Sequence, residues 1–170
     1  MKKFTLALIP FLLLACASQK NTKNDISGNY TIQSDCPTEG TCTLQVLKDK
    51  SLLIQNDNLG RPYYRLQDTP GKTVVIYTYA KKKNPIYQDD IYSEEVVFDT
   101  DSDLNALKKG INAKDANLVF GVKCFCKGKA GYYRPQTGSA QYKNNTLYIT
   151  LPADVIDNQL IKEVQVSFKQ

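Results

Sequence analysis

Glu163-Val164-Gln165-Val166-Ser167-Phe168-Lys169 decides the fold class. Val164, Val166 and Phe168 alternate with polar neighbours, so an extended backbone places the apolar set on one face and the polar set on the other, the pattern of a half-buried strand. Upstream, Leu147, Ile149 and Leu151 do the same around Tyr148 and Thr150, and Asn144-Asn145 suits a tight hairpin joining strands near 137–143 and 146–151. Cys42, Leu44 and Val46 alternate in the same way near the other end of the body.

Turn chemistry separates further strands. Lys48-Asp49-Lys50 is expected to end one strand before the next begins, Pro70-Gly71 suits a type II turn, and residues 81–87 read as the tip of a longer hairpin. One short helix is expected near 102–109: Ser102 is placed to cap it, Asp103 favours its positive end, Leu104 and Leu107 share a face, and Gly110 follows Lys108-Lys109 as a stop. About eight to ten short strands joined mostly by hairpins imply an all-β domain, an antiparallel barrel or sandwich over residues 26–170. The opening Ser27-Gly28-Asn29-Tyr30 is similar to the G-x-W start of lipocalin-like barrels, without the tryptophan; the resemblance implies a closed barrel carrying a small apolar ligand.

The N-terminus carries a different signal. Lys2-Lys3 precede an apolar run over residues 4–14 (FTLALIPFLLL), which is too short for a confident membrane span of roughly 20 residues and fits a secretory leader. Leu13-Leu14-Ala15-Cys16 resembles the lipobox of bacterial lipoproteins. The resemblance implies removal of residues 1–15, a diacylglyceryl group on the Cys16 thiol and further acylation of the new amino group. Two or more acyl chains anchor a protein stably, so the expectation is a membrane-attached body on a polar tether over residues 16–25. Ala17 follows the cysteine, where family members retained at the inner membrane carry aspartate. That points to the outer membrane, periplasmic or surface-facing, with the inner membrane as the alternative.

Cys36, Cys42, Cys124 and Cys126 remain in the body, and an even number in an exported chain reads as disulfides. Cys124 and Cys126 would share a face of one strand with Cα atoms roughly 7 Å apart, the outer limit of disulfide reach. The expected bonds therefore join the Cys36–Cys42 segment to Cys124 and Cys126, each closing a loop of roughly 80–90 residues and stabilising by about 4 kcal/mol; a local Cys36–Cys42 bridge is the alternative. C-x5-C with C-x-C is not a usual zinc spacing.

The 170-residue chain has no histidine, which removes the commonest general base and metal ligand, and any Ser-His-Asp or Cys-His pair. Carboxylates are the remaining acid–base candidates, at Asp89-Asp90 and Glu94-Glu95, where solvated hairpin positions are expected. Asp99-Thr100-Asp101-Ser102-Asp103 has the acidic spacing of a calcium loop but lacks its glycine and closing glutamate. No cofactor is expected, and the formal net charge of +5, two of it in the leader, is too small to argue for nucleic acid.

Arginine is concentrated. Arg61, Arg65 and Arg134 lie in two similar segments, Arg61-Pro62-Tyr63-Tyr64-Arg65 and Tyr132-Tyr133-Arg134-Pro135. A guanidinium grips carboxylate or phosphate, and tyrosine offers an apolar face with a polar tip. Tyr63, Tyr64, Arg65, Tyr132, Tyr133 and Arg134 are therefore candidates for one surface that binds a glycan, a phosphorylated head group or an envelope protein; it requires the segments to lie within about 15 Å. Lys81-Lys82-Lys83 could meet anionic lipid. The expected function is non-enzymatic binding in the cell envelope; the rivals are the lipocalin-like carrier, an inhibitor of an envelope hydrolase using the Cys36–Cys42 loop, and a histidine-free enzyme with two facing carboxylates.

Overall fold

The computed structural model describes Ile26 and residues 29–169. The leader, Cys16, the tether and Ser27-Gly28 lie outside these residues. Among the described residues, ten strands and one short helix follow in chain order: β1 (Tyr30–Ile32), β2 (Gly40–Asn56), β3 (Pro62–Lys81), β4 (Tyr92–Asp101), α1 (Asn105–Lys109), β5 (Ile111–Asn112), β6 (Val119–Cys124), β7 (Gly131–Tyr133), β8 (Ser139–Lys143), β9 (Thr146–Thr150) and β10 (Glu163–Phe168). They form two five-stranded antiparallel sheets, in the orders β1-β10-β9-β8-β5 and β2-β3-β4-β6-β7.

The period-two stripes meet between the sheets. Val164, Val166 and Phe168 of β10, with Leu147 and Ile149 of β9, share one buried cluster with Tyr77, Val96, Phe98 and Phe120 of the second sheet. Tyr77, Phe98, Phe120 and Leu147 are almost wholly removed from solvent, so side chains fill the space between the sheets. The all-β expectation holds, in the form of two facing sheets over a filled core. A lipocalin-like carrier needs an open interior, and this core does not supply one.

Two of the expected turns are something else. Asp49 and Gly71 do not end strands; they are opposed kinks in one long hairpin. β2 and β3 stay paired from Gly40↔Lys81 to Asn56↔Pro62, with a register shift between Lys48 and Lys50. Asp49 takes φ 54° and Gly71 φ 79°, and the Asp49 carboxylate accepts the Gly71 N–H at 3.0 Å. This bulge turns the distal half of the hairpin, residues 50–68, back over the outer face of its own sheet. There Leu52, Ile54 and Tyr64 pack on Val74, Ile76 and Val97 in a second, smaller cluster. The ribbon is a third layer, and it makes β2 and β3 long where short strands were expected.

Helix α1 spans only Asn105–Lys109 and starts later than expected. Leu104, at φ 60°, occupies the position before it with its side chain buried, and Ser102 makes no cap. The Asp103 carboxylate instead accepts the Asn105 N–H at 3.1 Å, and Gly110 ends the helix at φ 78° by donating to the Leu107 carbonyl.

The cysteines pair locally, as Cys36–Cys42 and Cys124–Cys126. The long-range pairing is therefore corrected. It assumed that the strand runs straight through Cys126, but β6 ends at Cys124 and the chain bends at Phe125, drawing the two Cα atoms to 5.2 Å. Cys36 and Cys42, 5.8 Å apart, flank the turn closed by Gly40 N–H to the Pro37 carbonyl.

The outer edge of β2 is occupied by side chains. The Tyr30 hydroxyl donates to the Leu44 carbonyl at 3.1 Å and lies 3.3 Å from the Leu44 N–H, and the Asp99 carboxylate accepts the Leu52 N–H at 2.9 Å.

Candidate functional site

The two Tyr/Arg segments come together where the ribbon meets the short β7 edge strand. In β3, successive side chains alternate faces. Tyr64 turns toward the sheet beneath, where its hydroxyl donates to the Glu95 carboxylate at 3.1 Å. Tyr63 turns the other way, bonding Gln55 at 2.9 Å, with the Arg65 guanidinium 5.7 Å over its ring. In β7, Tyr132 pairs with Gly121, and its ring meets that of Tyr64 edge-on at 5.2 Å. Tyr133 faces the core against Phe120 and donates to the Lys129 carbonyl at 2.8 Å.

Gly121 makes this arrangement possible. A Cβ there would lie 2.6 Å from the Tyr132 ring and 2.9 Å from Glu95 Cγ. The absent side chain leaves the surface on which the tyrosine lies, a cross-strand cover of a glycine by an aromatic ring. Glu95, almost fully buried, also binds Lys123 at 2.8 Å. Burial first, then the Glu95 charge and Tyr132, raises the Tyr64 phenol well above the ordinary tyrosine range, so it serves Glu95 as a neutral donor.

Beside this cluster lies a cleft of roughly 660 Å³. Asp57, Arg61 and Tyr63 of the ribbon tip form one wall; Gly131, Tyr132 and Tyr133 form the other. Asp57 shapes the tip by accepting the N–H groups of Leu59 and Arg61, each at 2.8 Å, around Gly60 at φ 75°. The Arg61 guanidinium has no ion pair among the described residues. The cleft thus offers tyrosine faces, small residues that admit a flat ligand and one unpaired cation.

The expected surface is redrawn. Tyr63, Tyr132 and Tyr133 line the cleft; Tyr64 holds its wall from behind; Arg65 caps Tyr63 outside it. Arg134 lines a separate depression of roughly 300 Å³ with Pro135 and Asp154. Arg61, not Arg65 or Arg134, supplies the cation.

In comparisons with known proteins, the chain matches no family model, no curated protein and no solved structure.

The other candidate residues are placed as follows. Glu94 and Glu95 are not solvated; both are buried, and adjacent strand positions send them to opposite faces of β4. Glu94 faces the sandwich, where Tyr92 donates to it at 2.6 Å. Sequence reasoning missed this, although Tyr92, Glu94, Val96 and Phe98 form one period-two stripe that includes the carboxylate. The aspartates of the calcium-like run serve different partners: Asp99 binds Leu52 N–H, Asp101 binds Lys72 at 2.7 Å, and Asp103 binds Asn105. The Cys36–Cys42 loop is tied down just past the end of β3, where Lys82 N–H donates to the Glu39 carbonyl at 2.8 Å.

Proposed function

We propose that this chain is an envelope lipoprotein, anchored through Cys16, whose β domain binds a saccharide bearing carboxylate or phosphate groups in the Arg61–Tyr132 cleft. The observation that carries the reading is the composition of that cleft: tyrosine faces on opposed walls beside an unpaired guanidinium. Aromatic faces cover the apolar faces of sugar rings, while a guanidinium selects acidic substituents by paired, charge-assisted hydrogen bonds. Binding rather than turnover is the role: the one carboxylate in the lining, Asp57, is engaged by the Leu59 and Arg61 N–H groups that shape the tip.

The leader and lipobox supply the address. Acylated Cys16 holds the body at a bilayer on a short polar tether, the outer membrane being favoured by Ala17 and the inner membrane being the alternative.

The test is calorimetric titration of the protein with oligosaccharides of matched length, neutral in one series and carboxylated or phosphorylated in the other. Saturable binding of the acidic series alone is expected, weakened at least tenfold by Arg61→Ala and by Tyr63→Ala. Equal binding of both series, or none, sinks the saccharide reading. Separately, a Cys16→Ser chain that keeps its membrane fractionation and unaltered processing removes the anchor.

A further inference from the structure

The end of the sandwich opposite α1 carries an unusual set of exposed side chains. β3 ends at Lys81, paired with Gly40, and β4 begins at Tyr92, paired with Cys124, so the 82–91 and 124–130 loops leave the same end of one sheet. On the first loop Ile86 is 82% exposed, Tyr87 62% and Ile91 50%; on the second, Phe125 is 74% exposed. Ile91 and Phe125 stand one position beyond the last pair, Tyr92↔Cys124, and so on neighbouring strands. Apolar residues of this size exposed together mark a contact surface.

Two features show that the exposure is built. Phe125 sits between the bonded cysteines Cys124 and Cys126, at the apex of a very small ring, which fixes it outward. The 82–91 loop is internally ordered: the Asp90 carboxylate accepts the Asn84 N–H at 2.9 Å, and Asn84 Oδ1 accepts the Ile86 N–H at 3.0 Å. Lysines border both tips. Lys82, Lys83 and Lys127 are exposed and have no ion pair among the described residues, while Lys81 lies 4.0 Å from Glu39.

We propose that this end is a membrane-contact surface: Ile86, Tyr87, Ile91 and Phe125 enter the headgroup region of the bilayer, and Lys82, Lys83 and Lys127 meet its phosphates. The proposal rests on the anchored reading for the protein's presence at a bilayer, and it is independent of the cleft. Lipid is favoured over a protein partner by shape. Ile86, Ile91 and Phe125 stand on the loops outside the depression at this end, which Tyr87 lines together with charged and polar side chains: Glu39, Lys81, Lys82, Lys83, Asn84 and Asp90. A protein interface needs a complementary patch; a bilayer accepts tips, with aromatic and lysine side chains at its boundary. Glu39, Asp89 and Asp90 lie among the lysines, so apolar insertion carries the contact and its dependence on anionic lipid is mild.

The chain contains no tryptophan, so a single introduced indole reports without background. Phe125→Trp, Ile86→Trp and, on helix α1 at the other end, Lys109→Trp are made in the full-length protein, reconstituted into vesicles with and without lipids brominated on the acyl chain. Quenching at positions 125 and 86 several-fold above that at 109, with blue-shifted emission, is the expected result. Equal quenching at all three positions, in protein that still floats with the vesicles, overturns the contact surface and leaves the anchor standing. Protein that does not float overturns both. A blue shift seen only in native membranes, never in pure lipid, assigns the tips to a protein partner and overturns the proposal.

Discussion

The Glu94 carboxylate grips the backbone of Ile161 across the sandwich, accepting its N–H at 2.7 Å. The preceding N–H, of Leu160, reaches both oxygens at 2.9 and 3.0 Å, and Tyr92 supplies a third donor. One buried carboxyl group thus holds the 151–162 connection, which has no strand of its own, against β4. Glu94→Gln keeps one acceptor oxygen but turns an NH2 group toward a buried donor, so it should cost about 2–4 kcal/mol in denaturant unfolding. A change below about 0.5 kcal/mol would show that the grip is incidental.

The disulfide pairing has a direct chemical test. No lysine or arginine separates Cys36 from Cys42 or Cys124 from Cys126, whereas many lie between the two pairs. A tryptic map without reduction should give two peptides, each lighter by two hydrogens than its reduced form, and no cross-linked species. Because each ring is short, removing Cys36–Cys42 by paired serine substitutions should cost about 2 kcal/mol, not the 4 kcal/mol of a long loop.

Gly121→Ala should disturb the cleft from behind. The new methyl group meets the Tyr132 ring and Glu95. Overpacking of this kind costs about 1–3 kcal/mol, and displacement of Tyr132 should weaken acidic-saccharide binding more than Arg65→Ala does. Unchanged affinity with an unchanged melting temperature would contradict the packing described.

Alkaline titration should expose the buried phenols. Burial, followed by the Glu95 charge for Tyr64 and by the Glu94 hydrogen bond for Tyr92, raises both groups above the ordinary tyrosine value of about 10. The unfolded chain therefore loses these protons first. Their stabilisation is fully present below about pH 10 and is lost as pH climbs beyond it. Phenolate absorbance should rise in two stages, the second coinciding with loss of near-ultraviolet circular dichroism; a single stage in the intact fold would refute the burial of these hydroxyls.

The alternation of Val164, Val166 and Phe168 and the Asn144-Asn145 turn were legible because each is set by residues a few positions apart. The kink at Asp49 and Gly71 was not. Each residue announces a bend, but only pairing across the hairpin decides whether two strands stop or bend together. For Cys124 and Cys126 the error lay in assuming an extended backbone up to Cys126, when the chain bends at Phe125. The proximity of the tyrosine segments was suggested by composition, yet the choice of Arg61 depended on the course of the ribbon, which no local pattern specifies.

The side chains set along β2 bear on how many copies can live side by side. A seventeen-residue strand at a sheet margin is a template on which another chain could continue the ladder. Tyr30 and Asp99 already occupy the backbone groups of Leu44 and Leu52 that such a newcomer would need. Those two contacts work against edge-to-edge pairing of copies, and Tyr30→Phe together with Asp99→Ala would open both positions to it.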